Sequence, residues 1–451
     1  MPDSTNYPLV AKTDARSSND KPRRTEEFIE EISAEIIGFL FQQKTFLRSA
    51  SDTSDEPVEF APVLHQIRTE LDERINCDVD ETVIEAFDDA FNWNRSLDSG
   101  GEDREARLRR YADALNRLQN EETKLIYRFV MMKNLGHPWV MRQSAMSGYL
   151  INLVADVEVT VRHMMESAAK LQGGIQLTGN DTIAIEDIGD EETGAEIRRR
   201  VTQEKIDSAI YGSPKDWVRF FQNQFGINAE NVGGLEEVLE PIQRRHCHVH
   251  NRGRVSSRYL SRVPDASVEI GQYLHVNHEY LERAADHFAI FVYSLTWLVL
   301  EKLTRNDSEG WEKAKGVLTF YIFDLLNSGR YSVLMLLDGL VPRDRVEASF
   351  RLVLDTNIWL AYKFSGNFDK VRSTVTEWDV SDLGIRFQLS KAALLDQIDE
   401  AVQLVKVGLE IGDLTPSDVV SWPLLKDVYP VFASTYDLSD FSEDDGPARS
   451  Q

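Results

Sequence analysis

The chain has 451 residues, 75 of them Asp or Glu against 50 Lys or Arg, for a formal net charge of −25. That length exceeds one ordinary core and predicts two or three domains, which hydrophobic residues at 42% are enough to fill. Two cysteines, Cys77 and Cys247, exclude a disulfide framework and point to a reducing, cytoplasmic setting. The acidity suits either a protein working in molar salt, where the Debye length is ~3 Å, or an ordinary acidic scaffold. In both cases it disfavours non-specific binding along a duplex at low salt.

Residues 1–24 are polar, lack the apolar stretch of a secretory signal, and read as a disordered tail. The region 25–136 reads as helical, without evident chemistry. It opens on Phe28, Ile29, Ile32, Ile36, Ile37 and Leu40 at helical spacing. A linker follows over 49–62, then two short helices over 63–94. A long charged helix over 103–132 carries Leu108, Tyr111, Leu115, Leu118 and Leu125 as its stripe. His137-Pro138 marks the next break, because the residue before proline is pushed out of the helical region.

A long helix over 140–171 turns Leu150, Leu153, Val154, Val157, Val161 and Met164 inward. Segments 175–177 and 182–185 are spaced for a hairpin across Gly179-Asn180, and 186–192 reads as a solvated loop. After a helix over 194–211, Ser213, Pro214 and Asp216 form a capping-box start. The helix they begin carries Trp217, Phe220 and Phe221 at core spacing and stops at Gly226. Gly233-Gly234 opens a helix over 235–249, with Pro241 as a kink or turn boundary. Gly253 suits a chain reversal.

Residues 268–276 alternate as an extended segment, and Asn277 caps a helix running to about Leu303. That helix is apolar almost all round and belongs at the centre of a bundle. Its apolar run, 287–300, is too short for a membrane span of ~20 residues, so no membrane is expected. Beyond 306, turns at 326–331, 364–368 and 395–399 recur about every 30 to 40 residues. They imply three helical hairpins faintly similar to tetratricopeptide repeats, without the full motif. An acidic tail covers 440–451.

No Asp or Glu lies between Glu240 and Asp265, while that window holds Arg244, Arg245, Arg252, Arg254, Arg258 and Arg262 with His246, His248 and His250. A basic island in an acidic chain is a candidate anion site, since clustered cations need a counter-charge. The planar fork of arginine matches a phosphate, and histidine exchanges protons near neutral pH. A step of five along a helix turns about 140°. Arg245 and His250 therefore do not share one face of a regular helix. His246 and His250, four apart, do share a face as zinc ligands would, with Cys247, His275 and His278 as possible additions. The intervening Glu of a His-Glu-x-x-His pattern is missing, however, and the arginines repel a dication. No metal and no cofactor is predicted. Neither a Gly-rich phosphate loop ending in Lys-Ser/Thr nor a Gly-x-Ser-x-Gly elbow occurs.

The run Arg244-Arg245-His246-Cys247-His248-Val249-His250-Asn251-Arg252-Gly253, followed by Tyr259-Leu260, resembles the Arg-polar-x3-His motif of the HEPN superfamily. The resemblance extends over roughly 142–303, and only 244–260 is specific. It implies a mostly α fold: a central antiparallel HEPN-like helical bundle over 137–305, with flanking helical regions over 25–136 and 306–439. Such bundles usually dimerise along the motif helices. It further implies a metal-independent endoribonuclease, with Arg245 and His250 catalytic and His246, Asn251, Arg244 and Glu158 touching substrate. Asp156 is the next acidic match by position. The implied partners are single-stranded RNA, a second copy of the chain, and an antitoxin or regulatory protein in a defence setting. Other members of the superfamily are inactive modules that bind RNA or protein, which is the alternative function.

The residues have plainer roles open to them as well. Asn251 suits a helix C-cap, Glu158 a solvated or ion-paired carboxylate, Arg244 a structural pair, and His248 faces away from the site. RNA brings its own nucleophile, the 2′-OH. An enzyme need only align it, take its proton and stabilise the charged transition state.

Overall fold

In the computed structural model, which describes residues 6–8, 21–54, 69–70, 137–176, 182–184, 193–264, 267–340, 345–441 and a few positions between 109 and 124, the protein is mostly helical. The helices expected over 63–94 and 103–132, the loop 186–192 and the tail beyond 441 lie outside these residues, save for the few positions just named.

Part of the expected N-terminal tail is ordered into structure. Strand β1 (Asn6–Pro8) pairs antiparallel with β2 (Thr182–Ala184), Tyr7 opposite Ile183. The hairpin expected within 175–185 is thereby corrected: β2 takes its partner from far upstream instead of from 175–177. Helix α1 (Lys21–Ser54) begins before Glu26 and runs into the expected linker. Phe28, Ile29, Ile32, Ile36 and Leu40 are buried as their spacing predicts. Ile37 instead lies outward, 48% exposed, and Phe39 takes the inner position.

Helix α2 (His137–Gln172) carries Pro138 in its first turn, where the missing N–H costs nothing. It ends at Gly173, whose φ of 76° favours glycine. Helix α3 (Gly194–Ile210) starts on a Thr193–Glu196 capping box. Helix α4 (Pro214–Phe225) starts on Ser213 and Asp216, whose carboxylate accepts from the Ser213 N–H at 2.8 Å and Oγ–H at 2.7 Å. Helix α5 (Leu239–Asn251) begins later than expected because 233–238 is spent in turns, and Pro241 sits in its first turn. Helix α6 (Ser257–Arg262) is capped by Ser256. Helix α7 (His278–Thr304) is capped by Asn277, whose Oδ1 accepts the Tyr280 N–H at 2.8 Å.

The C-terminal part continues as α8 (Ser308–Asn327), α9 (Tyr331–Leu337), α10 (Ala348–Phe364), α11 (Arg372–Glu377), α12 (Ile385–Leu394), α13 (Ile398–Glu410), α14 (Pro416–Ser421) and α15 (Tyr429–Thr435). The three expected turns fall where left-handed residues stand, at Gly329, Gly366 and Asp396. A short 3-10 helix, Leu438–Phe441, brings Phe441 to 6.2 Å from Phe432, so the acidic tail starts later than 440.

Chain contacts define two compact units, one of Met1–Lys44, Ala155–Pro241 and Arg283–Gln451, the other of Thr45–Val154 and Ile242–Glu282. The first is built around α7, as its all-round apolarity requires. Phe288, Phe291, Val292 and Leu295 are fully buried. Trp217 of α4 lies 6.2 Å from Phe291, and Tyr321 of α8 lies 5.1 Å from Tyr293 and donates to the Ala289 carbonyl at 2.9 Å. Each such aromatic contributes about 1.5–3 kcal/mol through burial. The second unit has a small core of its own, formed by Cys247, Val255, Tyr259 and Leu274. Among the described residues no helix is long and apolar enough to cross a membrane.

Candidate functional site

The basic island lies in the second unit, and its shape follows from one chain reversal. Helix α5 ends at Asn251 because Arg252 and Gly253 are both left-handed, with φ of 52° and 73°. The Gly253 N–H returns to the Cys247 carbonyl at 3.0 Å. A side chain at Gly253 would place its Cβ 2.6 Å from the Tyr273 ring and 2.8 Å from the His248 ring, so glycine is required for space as well as for φ. The chain then runs beside 271–274. Val255 N–H donates to Gln272 at 2.8 Å, Gly271 N–H to Val255 at 2.9 Å, and Leu274 N–H to Gly253 at 2.8 Å. The four-residue core under this ladder fixes α6 beside α5.

His250 is the penultimate residue of α5, at the helix end and just before the reversal at Arg252 and Gly253. His246, one turn earlier, shares the face of His250, with ring centroids 4.5 Å apart and planes tilted by 51°. His246 is half-buried and His250 exposed. The pKa of His246 lies below the ordinary histidine range. Burial is the main cause, and the charges of Arg258, His250, Arg245 and Arg262 add to it. His246 is therefore where the island converges: Arg245 and His250 act on it from its own helix, Arg258 and Arg262 from α6. Arg258 and Arg262 were part of the island in sequence but were not singled out. Their i, i+4 spacing on a helix with Ser256 as N-cap was the available signal.

The remaining expected residues are engaged as follows. Arg244 donates to the His275 carbonyl at 2.6 Å and lies 4.1 Å above the Tyr280 ring, so its guanidinium anchors the strand-like segment before α7. The Nε of half-buried Arg245 is buried. Asn251 donates its Nδ2–H to the Arg254 carbonyl at 3.2 Å, the work of a capping residue. His248 faces the ladder. Its Nε2 is 2.9 Å from the Leu274 carbonyl, which only accepts, so that nitrogen carries the proton. Glu158 is half-buried on α2 and belongs to the first unit, whereas Arg245 and His250 belong to the second.

Asp156, two residues before Glu158, has its pKa raised to about 7, first by burial and then by the negative charge of Glu35. Its Oδ2 is buried without a hydrogen-bond partner. Glu35 itself accepts from Thr160 at 3.0 Å and meets His163 Nδ1 at 2.5 Å.

Among the described residues no three His, Cys, Asp or Glu side chains gather closely enough to hold a metal ion. The first unit also contains a cleft of about 390 Å³, walled by Val232, Tyr293, Trp297, Leu337 and Leu340, with Arg345 and Glu230 among its polar lining.

The class these features define is a mostly α protein with a cationic, histidine-bearing surface. Compared with known protein families, with curated proteins and with solved structures, the chain finds no match.

Proposed function

We propose that the protein is a metal-independent endoribonuclease of the HEPN type. It cuts single-stranded RNA in the cytoplasm by attack of the 2′-OH, leaving a 2′,3′-cyclic phosphate. The observation that carries the reading is the His246 environment. A half-buried imidazole faces a second imidazole at 4.5 Å and has three arginines near enough to shift its ionisation. Three guanidinium groups around a neutral ring favour a phosphodiester, and the paired rings supply proton transfer without a metal. A homodimer formed along the α5 helices would double this surface, and a regulatory or antitoxin protein would mask it.

The direct test is cleavage of a labelled single-stranded RNA in excess EDTA, wild type beside His250→Ala, at low and at molar salt. Cleavage by the wild type with a cyclic-phosphate end, lost in the variant, is the expected result.

A second reading has one observation in its favour. Arg245 and His250 stand five apart on a regular helix, a turn of about 140°. On that reading the island binds RNA or a protein partner without chemistry, as a HEPN scaffold. Binding without cleavage by both proteins would select it.

A further inference from the structure

The ribonuclease reading leaves open which groups move the protons, and the island contains a pair the motif alone does not assign. We infer that His246 and His250 work as a proton-transfer couple, His246 as the base and His250 as the acid. Arg258 and Arg262 of α6 would hold the scissile phosphate over the outer edges of the two rings. This rests on the ribonuclease reading and deepens it.

Three features of the structure support the couple. The rings are one helical turn apart on the same face, 4.5 Å between centroids. Rings this close leave no room for a phosphate between them, so the phosphorane would lie along their outer edges, one apical oxygen turned toward each ring within reach of a nitrogen at ~2.7–3.0 Å. The two rings also differ in setting. His246 is half-buried beside Arg245, Arg258 and Arg262, which disfavours a proton on it, whereas His250 is exposed and water can solvate a charge there. Third, His250 is among the charges that act on His246, so the pair favours one proton over two. Arg245, by contrast, has no shared face with His250, and its part is electrostatic.

The step balances as follows. Neutral His246 takes the proton from the 2′-OH, the 2′-oxygen forms a bond to phosphorus, and the bond from phosphorus to the 5′-oxygen breaks. Protonated His250 gives its proton to that 5′-oxygen. The products are a 2′,3′-cyclic phosphate and a 5′-hydroxyl. The couple is left with its proton on the opposite ring, and solvent resets it.

The test compares wild type, His246→Asn and His250→Asn in EDTA. Two substrates are used, ordinary single-stranded RNA and the same RNA with sulfur replacing the bridging 5′-oxygen at one bond. A thiolate leaves without a protonating acid. On ordinary RNA each variant is expected to lose ~10²-fold or more in rate. The wild-type rate should rise and fall with pH. His246→Asn should lose the acidic limb, and His250→Asn the alkaline one. The sulfur substrate should restore His250→Asn to within about tenfold of wild type and leave His246→Asn impaired.

Thermal melting checks that both variants fold. If one does not, His246→Gln or His250→Gln replaces it. If His246→Asn cuts ordinary RNA within a fewfold of wild type, the couple is wrong while the ribonuclease reading survives. If sulfur rescues both variants or neither, the assignment of acid and base is wrong. If the wild type binds RNA and leaves it whole, both readings fall together.

Discussion

Replacing Asp156 with asparagine isolates the cost of one buried carboxylate. Asp156 has a pKa raised from 3.8 to about 7 by burial and by the charge of Glu35, and its Oδ2 has no hydrogen-bond partner. In the unfolded chain the group ionises near its ordinary value. Between those two pKa values the folded protein holds a proton that the unfolded chain has released, so stability falls as pH rises across the window. A full transfer of about 3 pKa units at ~1.36 kcal/mol each is ~4 kcal/mol. Asp156 is only partly buried, and solvent screening reduces this to ~1–2 kcal/mol. Asparagine keeps the shape and removes the ionisation. Asp156→Asn should melt ~1–3 °C above wild type at pH 8, and the gap should close toward pH 4. The assay is differential scanning calorimetry of both proteins at pH 4.5, 6 and 8. A variant equal to wild type at pH 8, or with the same gap at every pH, would refute the reasoning.

Three other variants separate scaffold from surface. Gly253→Ala forces a Cβ within 2.6 Å of Tyr273 at a φ of 73°. It should cost about 2–4 kcal/mol in urea unfolding, and a loss below ~0.5 kcal/mol would show that the reversal can shift. Arg244→Lys keeps the charge but loses the geometry over Tyr280 and at the His275 carbonyl. It should lower stability by ~1–2 kcal/mol and leave RNA affinity and its salt dependence unchanged. Arg258→Ala with Arg262→Ala should do the reverse. The slope of log affinity against log salt should fall by ~0.7 per lost phosphate contact, with stability unchanged or higher, measured by fluorescence anisotropy on a labelled single strand.

How legible each part was depended on how local its cause is. The start of α4 follows from Ser213, Pro214 and Asp216 within four positions, and the start of α7 from Asn277 and its reach to Tyr280. Both were readable. The mostly α character and the burial of the α7 stripe were readable for the same reason, since 3.6-residue periodicity is a local property. Ile37 was misplaced because α1 continues its apolar pattern around more than one face, and only packing selects Phe39 over it. The pairing of Asn6–Pro8 with Thr182–Ala184 joins residues far apart in sequence, and neither segment carries a turn signal toward the other. At the island, the residue types were legible. Their grouping was not, because α6 reaches His246 only through the Arg252-Gly253 reversal and the ladder to 271–274. Periodicity put His246 and His250 on one face. The motif drew attention instead to Arg245 and His250, which a regular helix separates.

The small core of Cys247, Val255, Tyr259 and Leu274 supports a surface on which Arg245, Arg258 and Arg262 crowd one imidazole. Like charges held close together push against the structure that gathers them. An anion that enters relieves the repulsion and adds its binding energy to the folding of the segment, about 2.7 kcal/mol at a hundredfold excess over its dissociation constant. On the proposed reading a bound ligand would be part of what keeps this corner of the molecule folded: the reversal after α5 would be least stable when empty, and a phosphate that came to it would complete its own receptor.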